Sequence, residues 1–106
     1  MDIKKMQQIV DRWVTRPEHE VKYFPPFQMT NQLTEEVGEV AREIADLHGF
    51  KKKKDTEKTD GLEVELGDVL FALICLANDH HIDLTNAFEK SMDKKLNRDK
   101  RRFIKK

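Results

Sequence analysis

Two short acidic stretches hold the residue types with the most chemistry in them. Glu36-Val37-Gly38-Glu39 and Glu65-Leu66-Gly67-Asp68 each set two carboxylates three residues apart, and each is followed by a valine, Val40 or Val69. The second is a near repeat of the first. On a helix, residues three apart project from one face of one turn. Two such pairs on packed helices would gather four carboxylates around one point, and like charges that close do not all stay ionised without a cation. Oxygen-only ligands suit Mg2+, with Mn2+ as a substitute, and Mg2+ leaves coordination positions to water and substrate phosphates. Glu36, Glu39, Glu65 and Asp68 are therefore the candidate metal ligands. Gly38 and Gly67 each cost about 1 kcal/mol relative to alanine inside a helix, which close approach of a backbone or ligand would explain. Two solvated acidic helix faces are the plainer reading, but two matched copies beside apolar stripes weigh against it.

A di-iron carboxylate site is the obvious competitor, and it needs Glu-x-x-His pairs. His48, His80 and His81 do not stand three residues after any of the four acids, and His19 falls in a loop. All four histidines read as surface or structural. No His-Glu-x-x-His, phosphate-cradling glycine loop or nucleophile elbow is present. Late in the chain, Lys94 and Arg98 are four apart and share a helical face, where they would complement phosphate charge. A basic helix end favoured by the macrodipole accounts for them equally well. Tyr23, Phe24 and Phe27 crowd one short span, either capping a core or forming a wall for a planar ligand.

The elements that must position these groups follow from apolar spacing. Ile3, Met6, Ile9, Val10 and Trp13 predict a helix over residues 3–14, which Arg16-Pro17 ends. A second helix is expected from about Pro26 to His48, with proline in its first turn and Gly49 as its stop. Its apolar stripe is Leu33, Val37, Val40, Ile44 and Leu47, and Glu36, Glu39 and Glu43 fall beside that stripe. Lys51 to Asp60 is a polar, lysine-rich connection. The third helix, from about Leu62 to Asp79, is apolar around almost its whole circumference and so must be buried on every side. A chain this short has few helices to surround it, so a second subunit is expected to cover part of it. Asp83 caps a fourth helix, to about Asn97, that buries Leu84, Ala87, Phe88, Met92 and Leu96. Four helices with short connections predict an all-α four-helix bundle, assembled as an oligomer.

A chain of 106 residues makes one domain, 1–106, with a basic tail over about 98–106. Its 20 basic and 20 acidic residues balance, so no overall field draws it to nucleic acid or membrane, and no nucleic-acid reading motif is present. The single cysteine, Cys75, lies in an apolar run and reads as a small buried hydrophobe in a reducing compartment. The N-terminus lacks an apolar leader, and no run approaches the ~18 apolar residues of a membrane span. A soluble, cytoplasmic protein is expected.

Glu36-x-x-Glu39, 25 intervening residues, then Glu65-x-x-Asp68 resembles the metal signature of the MazG-like, all-α nucleoside triphosphate pyrophosphohydrolases. The words Leu33-Thr34-Glu35-Glu36-Val37-Gly38-Glu39-Val40 and Glu65-Leu66-Gly67-Asp68-Val69-Leu70-Phe71 strengthen the match, as does Lys94-x-x-x-Arg98. It covers about residues 24–102 and is that of a short, single-domain member. The resemblance implies a Mg2+-dependent hydrolase that cleaves between the α- and β-phosphates of a (d)NTP, giving the monophosphate and pyrophosphate, with nucleotide-pool housecleaning as a role. It also implies a homo-dimer or a dimer of dimers. In the mechanism it implies, the four acids hold one or more Mg2+ ions, which gather triphosphate oxygens and lower the pKa of a bound water. Glu35 or Glu39 orients that water as base. Lys94 and Arg98, with Lys100, steady the phosphates, and Trp13, Tyr23, Phe24 and Phe27 flank the base.

Two other readings make different predictions. A non-catalytic helical module that uses the third helix purely for oligomerisation would be indifferent to Glu39→Gln. A nucleotide-sensing regulator would bind without turnover.

Overall fold

The computed structural model describes residues 1–54, 56 and 60–98. Its helices are α1 (Ile3–Val14), α2 (Pro26–Leu47), α3 (Leu62–Asp79) and α4 (Leu84–Asp93), the last running into a π-helical turn over Lys94–Arg98. No strand occurs among the described residues. The ends have local causes. Asp2 starts α1 by accepting the Lys5 N–H at 2.8 Å, and Asp83 starts α4 by accepting the Thr85 N–H at 2.9 Å. Gly49, at φ 73°, closes α2: Phe50 N–H reaches Ala45 O and Gly49 N–H reaches Asp46 O, the paired bonds of a Schellman stop. The same pair of bonds ends α3, where Ile82 N–H meets Ala77 O and His81 N–H meets Asn78 O. There the left-handed position is filled by His81, at φ 55°, instead of glycine.

Helix α3 is the centre. α2 folds back along it as one arm of a hairpin, while α1 packs on it and also touches α4. A polar tie joins α1 to the α3–α4 corner. Gln7 donates to Asn78 Oδ1 and Ile82 O and accepts from Leu84 N–H, while Asn78 donates back to Gln7 O. No helix among the described residues is long and apolar enough to cross a membrane.

The buried apolar residues among those described are few: Val14, Met29, Ala72, Ile74 and Ala77. The α2 stripe expected to be buried is split: Leu33 and Val40 are half-buried, while Val37, Ile44 and Leu47 face outward. Helix α2 meets α3 with its carboxylate-bearing side instead, so that Glu43 and Glu65 are buried in the seam. On α3, Leu66, Leu70 and Leu73, spaced by four and three, also stand exposed. Gly38 and Gly67 are exposed, and a Cβ built on either meets nothing within 4 Å. Close approach of another part of this chain therefore does not explain them. The radius of gyration is 17.2 Å, against about 13 Å for a compact domain of this size.

Candidate metal centre and adjoining cavity

The antiparallel run of α2 against α3 brings the two acidic turns level. One carboxylate oxygen from each of Glu36, Glu65 and Asp68 lies within 4.8 Å of the other two. Among the described residues, none of these three side chains makes an ion pair or hydrogen bond to the rest of the protein. Three unpaired carboxylates at that separation repel one another. Glu36 titrates above its ordinary value, first through desolvation and then through the charges of Asp68, Glu39 and Glu35. Glu65 is raised likewise, by desolvation and then by Asp68, Glu39, Asp60 and Glu36. All-oxygen donors with uncompensated charge suit a hard divalent cation.

Glu39 is half-buried on the same face of α2 and close enough to raise both Glu36 and Glu65, though it stands outside the tight trio. Glu35 is exposed beside Glu36. The next acid along the α2 face, Glu43, is differently placed. It is 3 % exposed, and both its oxygens accept from Lys53 Nζ, at 3.0 and 2.9 Å. Sequence reading noted Glu43 beside the stripe but not this partner, which the loop returns from ten residues away.

One helical turn from the trio, on the side away from Lys53, a cavity of about 460 Å³ opens between α1, the loop after it, and the α2–α3 hairpin. Trp13, Tyr23 and Phe24, three of the four aromatics expected beside a ligand, line it together with Phe71, Met29 and Gln32. Phe27 does not line it and is 86 % exposed. Trp13 is held edge-to-face by Phe71 and His19, at centroid distances of 5.9 and 4.9 Å, with the Arg16 guanidinium 5.3 Å from its ring centroid. Tyr23 anchors the loop: its hydroxyl donates to Asp11 Oδ1 at 2.7 Å and accepts from Asn78 Nδ2 at 3.1 Å. Partial burial and the acceptor Asp11 push its phenol well above the usual value. His19 is structural, bonded to Arg16 and Val14 O, and His80 bonds to Leu76 O. Cys75 lines the cavity floor, and burial raises its thiol pKa.

Lys94 and Arg98 are exposed on the π-helical turn, whose main packing is against α4. Within one chain they are not brought to the carboxylate trio. Lys100 lies outside the described residues.

An all-helical fold with three carboxylates converging at a helix–helix seam is compatible with several metal-binding classes, and comparison with known proteins selects one. Residues 24–103 match the MazG nucleotide pyrophosphohydrolase domain. The chain is 44 % identical over 104 residues to the uncharacterized protein YpjD of Bacillus subtilis strain 168, covering 98 % of this chain and 92 % of YpjD. The crystal structure of YpjD superposes with a TM-score of 0.76, covering 89 % of this chain and 94 % of that one. A Bacillus-conserved MazG protein, a nucleotide pyrophosphohydrolase, is 39 % identical at a TM-score of 0.73, covering 89 % and 88 %. The chain belongs to the MazG nucleotide pyrophosphohydrolase family and is an enzyme of the hydrolase class.

Proposed function

We propose that this protein is a Mg2+-dependent nucleoside triphosphate pyrophosphohydrolase, converting a (d)NTP and water to the (d)NMP and pyrophosphate. The observation that carries the reading is the convergence of Glu36, Glu65 and Asp68 within 4.8 Å, unpaired, one helical turn from an aromatic-lined cavity. Those three residues, with Glu39 beside them, would hold the cation. Bound Mg2+, or Mn2+ in its place, supplies charge neutralisation for the triphosphate oxygens and makes water a better nucleophile. Glu39, less committed to the trio, takes the proton of the attacking water; exposed Glu35 is the second candidate for that role. Trp13 and Phe24 flank the base, and Tyr23 holds the loop that carries Phe24.

The working unit is a homo-oligomer. Leu66, Leu70 and Leu73 on α3, with Val37, Ile44 and Leu47 on α2, leave a continuous apolar outer face that one copy of the chain does not cover. A dimer or tetramer closing over that face would bury these side chains. Lys94 and Arg98, with Lys100 beyond them, would then serve phosphate in an assembled site. A cytoplasmic location and a nucleotide-pool role accord with this chemistry.

The test is pyrophosphate release from a panel of canonical and damaged nucleoside triphosphates, with and without Mg2+, beside Glu65→Gln and Glu39→Gln. Metal-dependent release that Glu65→Gln removes is expected. No release from any nucleotide by folded protein would overturn the proposal.

A further inference from the structure

The cavity wall holds one side-chain amide that has no hydrogen-bond partner among the described residues. Gln32 lines it from α2, half-buried, four residues before Glu36 and therefore on the same helical face, about 6 Å along the axis. On α3, Ala72 of the cavity wall stands four residues after Asp68. Both walls thus lead from the carboxylates into the cavity over a single turn.

Four other polar side chains around the cavity, Glu18, His19, Lys22 and Tyr23, have partners within the chain. His19 bonds to Arg16 and Val14 O, Lys22 donates to Arg16 O and His19 O, and Tyr23 is held by Asp11 and Asn78. Glu18 pairs with Arg16 at 3.4 Å, and Glu20 lies exposed at the mouth. Among the described residues the Gln32 amide makes no hydrogen bond to the protein. A primary amide beside aromatic rings offers an adjacent donor and acceptor, the pattern that pairs with a nucleobase edge.

We propose that Gln32 reads the edge of the substrate base, and that it reads permissively. The inference rests on the carboxylate trio being the triphosphate site. Because no protein group bonds to the amide, nothing selects one of its two orientations. Turned one way it matches the amino-and-ring-nitrogen edge of cytosine or adenine; turned the other, the N–H-and-keto edge of uracil or guanine. Gln32 therefore requires a complementary edge without choosing between amino and keto bases.

The test uses the chain's one tryptophan, which lies in the cavity wall. Trp13 fluorescence, titrated with CTP and UTP, measures binding independently of turnover, and pyrophosphate release is followed in parallel. Wild type is expected to treat the two nucleotides within a few-fold of each other. Gln32→Glu, which can only accept, should shift the cytosine-to-uracil preference on the order of tenfold toward cytosine. Gln32→Leu should weaken both equally, through KM more than turnover, with helicity unchanged by circular dichroism. An unchanged preference in Gln32→Glu together with unchanged KM in Gln32→Leu would overturn the proposal. Base-dependent Trp13 quenching that shifts with Gln32 but brings no pyrophosphate would uphold Gln32 as reader and sink the enzymatic reading. No quenching and no turnover with any nucleotide would sink both.

Discussion

Lys53 Nζ sits 3.0 and 2.9 Å from the two oxygens of Glu43, while the Lys53 backbone N–H donates to Asp46 Oδ1 at 2.9 Å. An internal ammonium thus occupies the far end of the α2 carboxylate row, and Glu36, at the other end, is left for an external cation. The pair also fastens the start of the α2–α3 loop to the seam.

Burial is unequal in that pair. The side chain of Glu43 is 4 % exposed and that of Lys53 19 %, so the carboxylate is the more deeply buried partner. Lys53→Met should destabilise by about 2–3 kcal/mol, below the ~3–5 of a fully buried pair, and by more than Glu43→Gln does. Urea denaturation at fixed protein concentration measures the order; equal losses would contradict it.

Glu36 and Glu65 bind protons more tightly in the folded chain than in the unfolded one. Their contribution to stability is full below the unfolded pKa and is lost as pH rises through the folded values. Without metal, these two groups should make the protein more stable as pH falls from neutrality toward the ordinary carboxylate range. A divalent cation binds the ionised form, so its stabilisation should shrink over the same window. Melting temperatures with and without Mg2+, in wild type and in a Glu36→Gln/Glu65→Gln double variant, isolate the effect. A double variant that tracks wild type would show the acids uninvolved.

Glu65→Gln is expected to raise the melting temperature of the metal-free protein, because it removes one charge from a repelling trio. The same substitution should lower turnover on the order of a thousandfold, the equivalent of the several kcal/mol that a metal ion supplies. Activity and apo stability move in opposite directions if the trio is a cation site, and fall together if Glu65 is merely structural.

If the proposed homo-oligomer forms through the outer face of α3, Leu70→Glu should make the chain a monomer without disturbing the seam. Sedimentation velocity reads the mass directly. A wild-type chain that already sediments as a monomer would refute the covered-face reading.

His81 holds a left-handed backbone angle, φ 55°, at the end of α3. Glycine there relieves strain of about 1–2 kcal/mol but adds freedom to the unfolded chain. His81→Gly should therefore stabilise by a net ~0.5–1 kcal/mol, as a shift in the urea midpoint.

Much of the local structure was legible from sequence. Apolar spacing, Pro17, Pro26, Gly49 and Asp83 set the helix limits, because caps and breakers act within one or two turns. The acidic pairs were legible too, since three-residue spacing on a helix determines that two side chains share a face. What the sequence could not decide was which face of α2 meets α3. Amphipathicity announces an apolar stripe without naming its partner, and within one chain Val37, Ile44 and Leu47 turn outward while Glu36 and Glu43 turn to the seam. Tertiary structure alone decided that Lys53 answers Glu43, that Phe27 stays out of the cavity, and that Gln32 enters it unpaired. Each of these depends on where a loop or a neighbouring helix comes to rest, which no period within one element encodes.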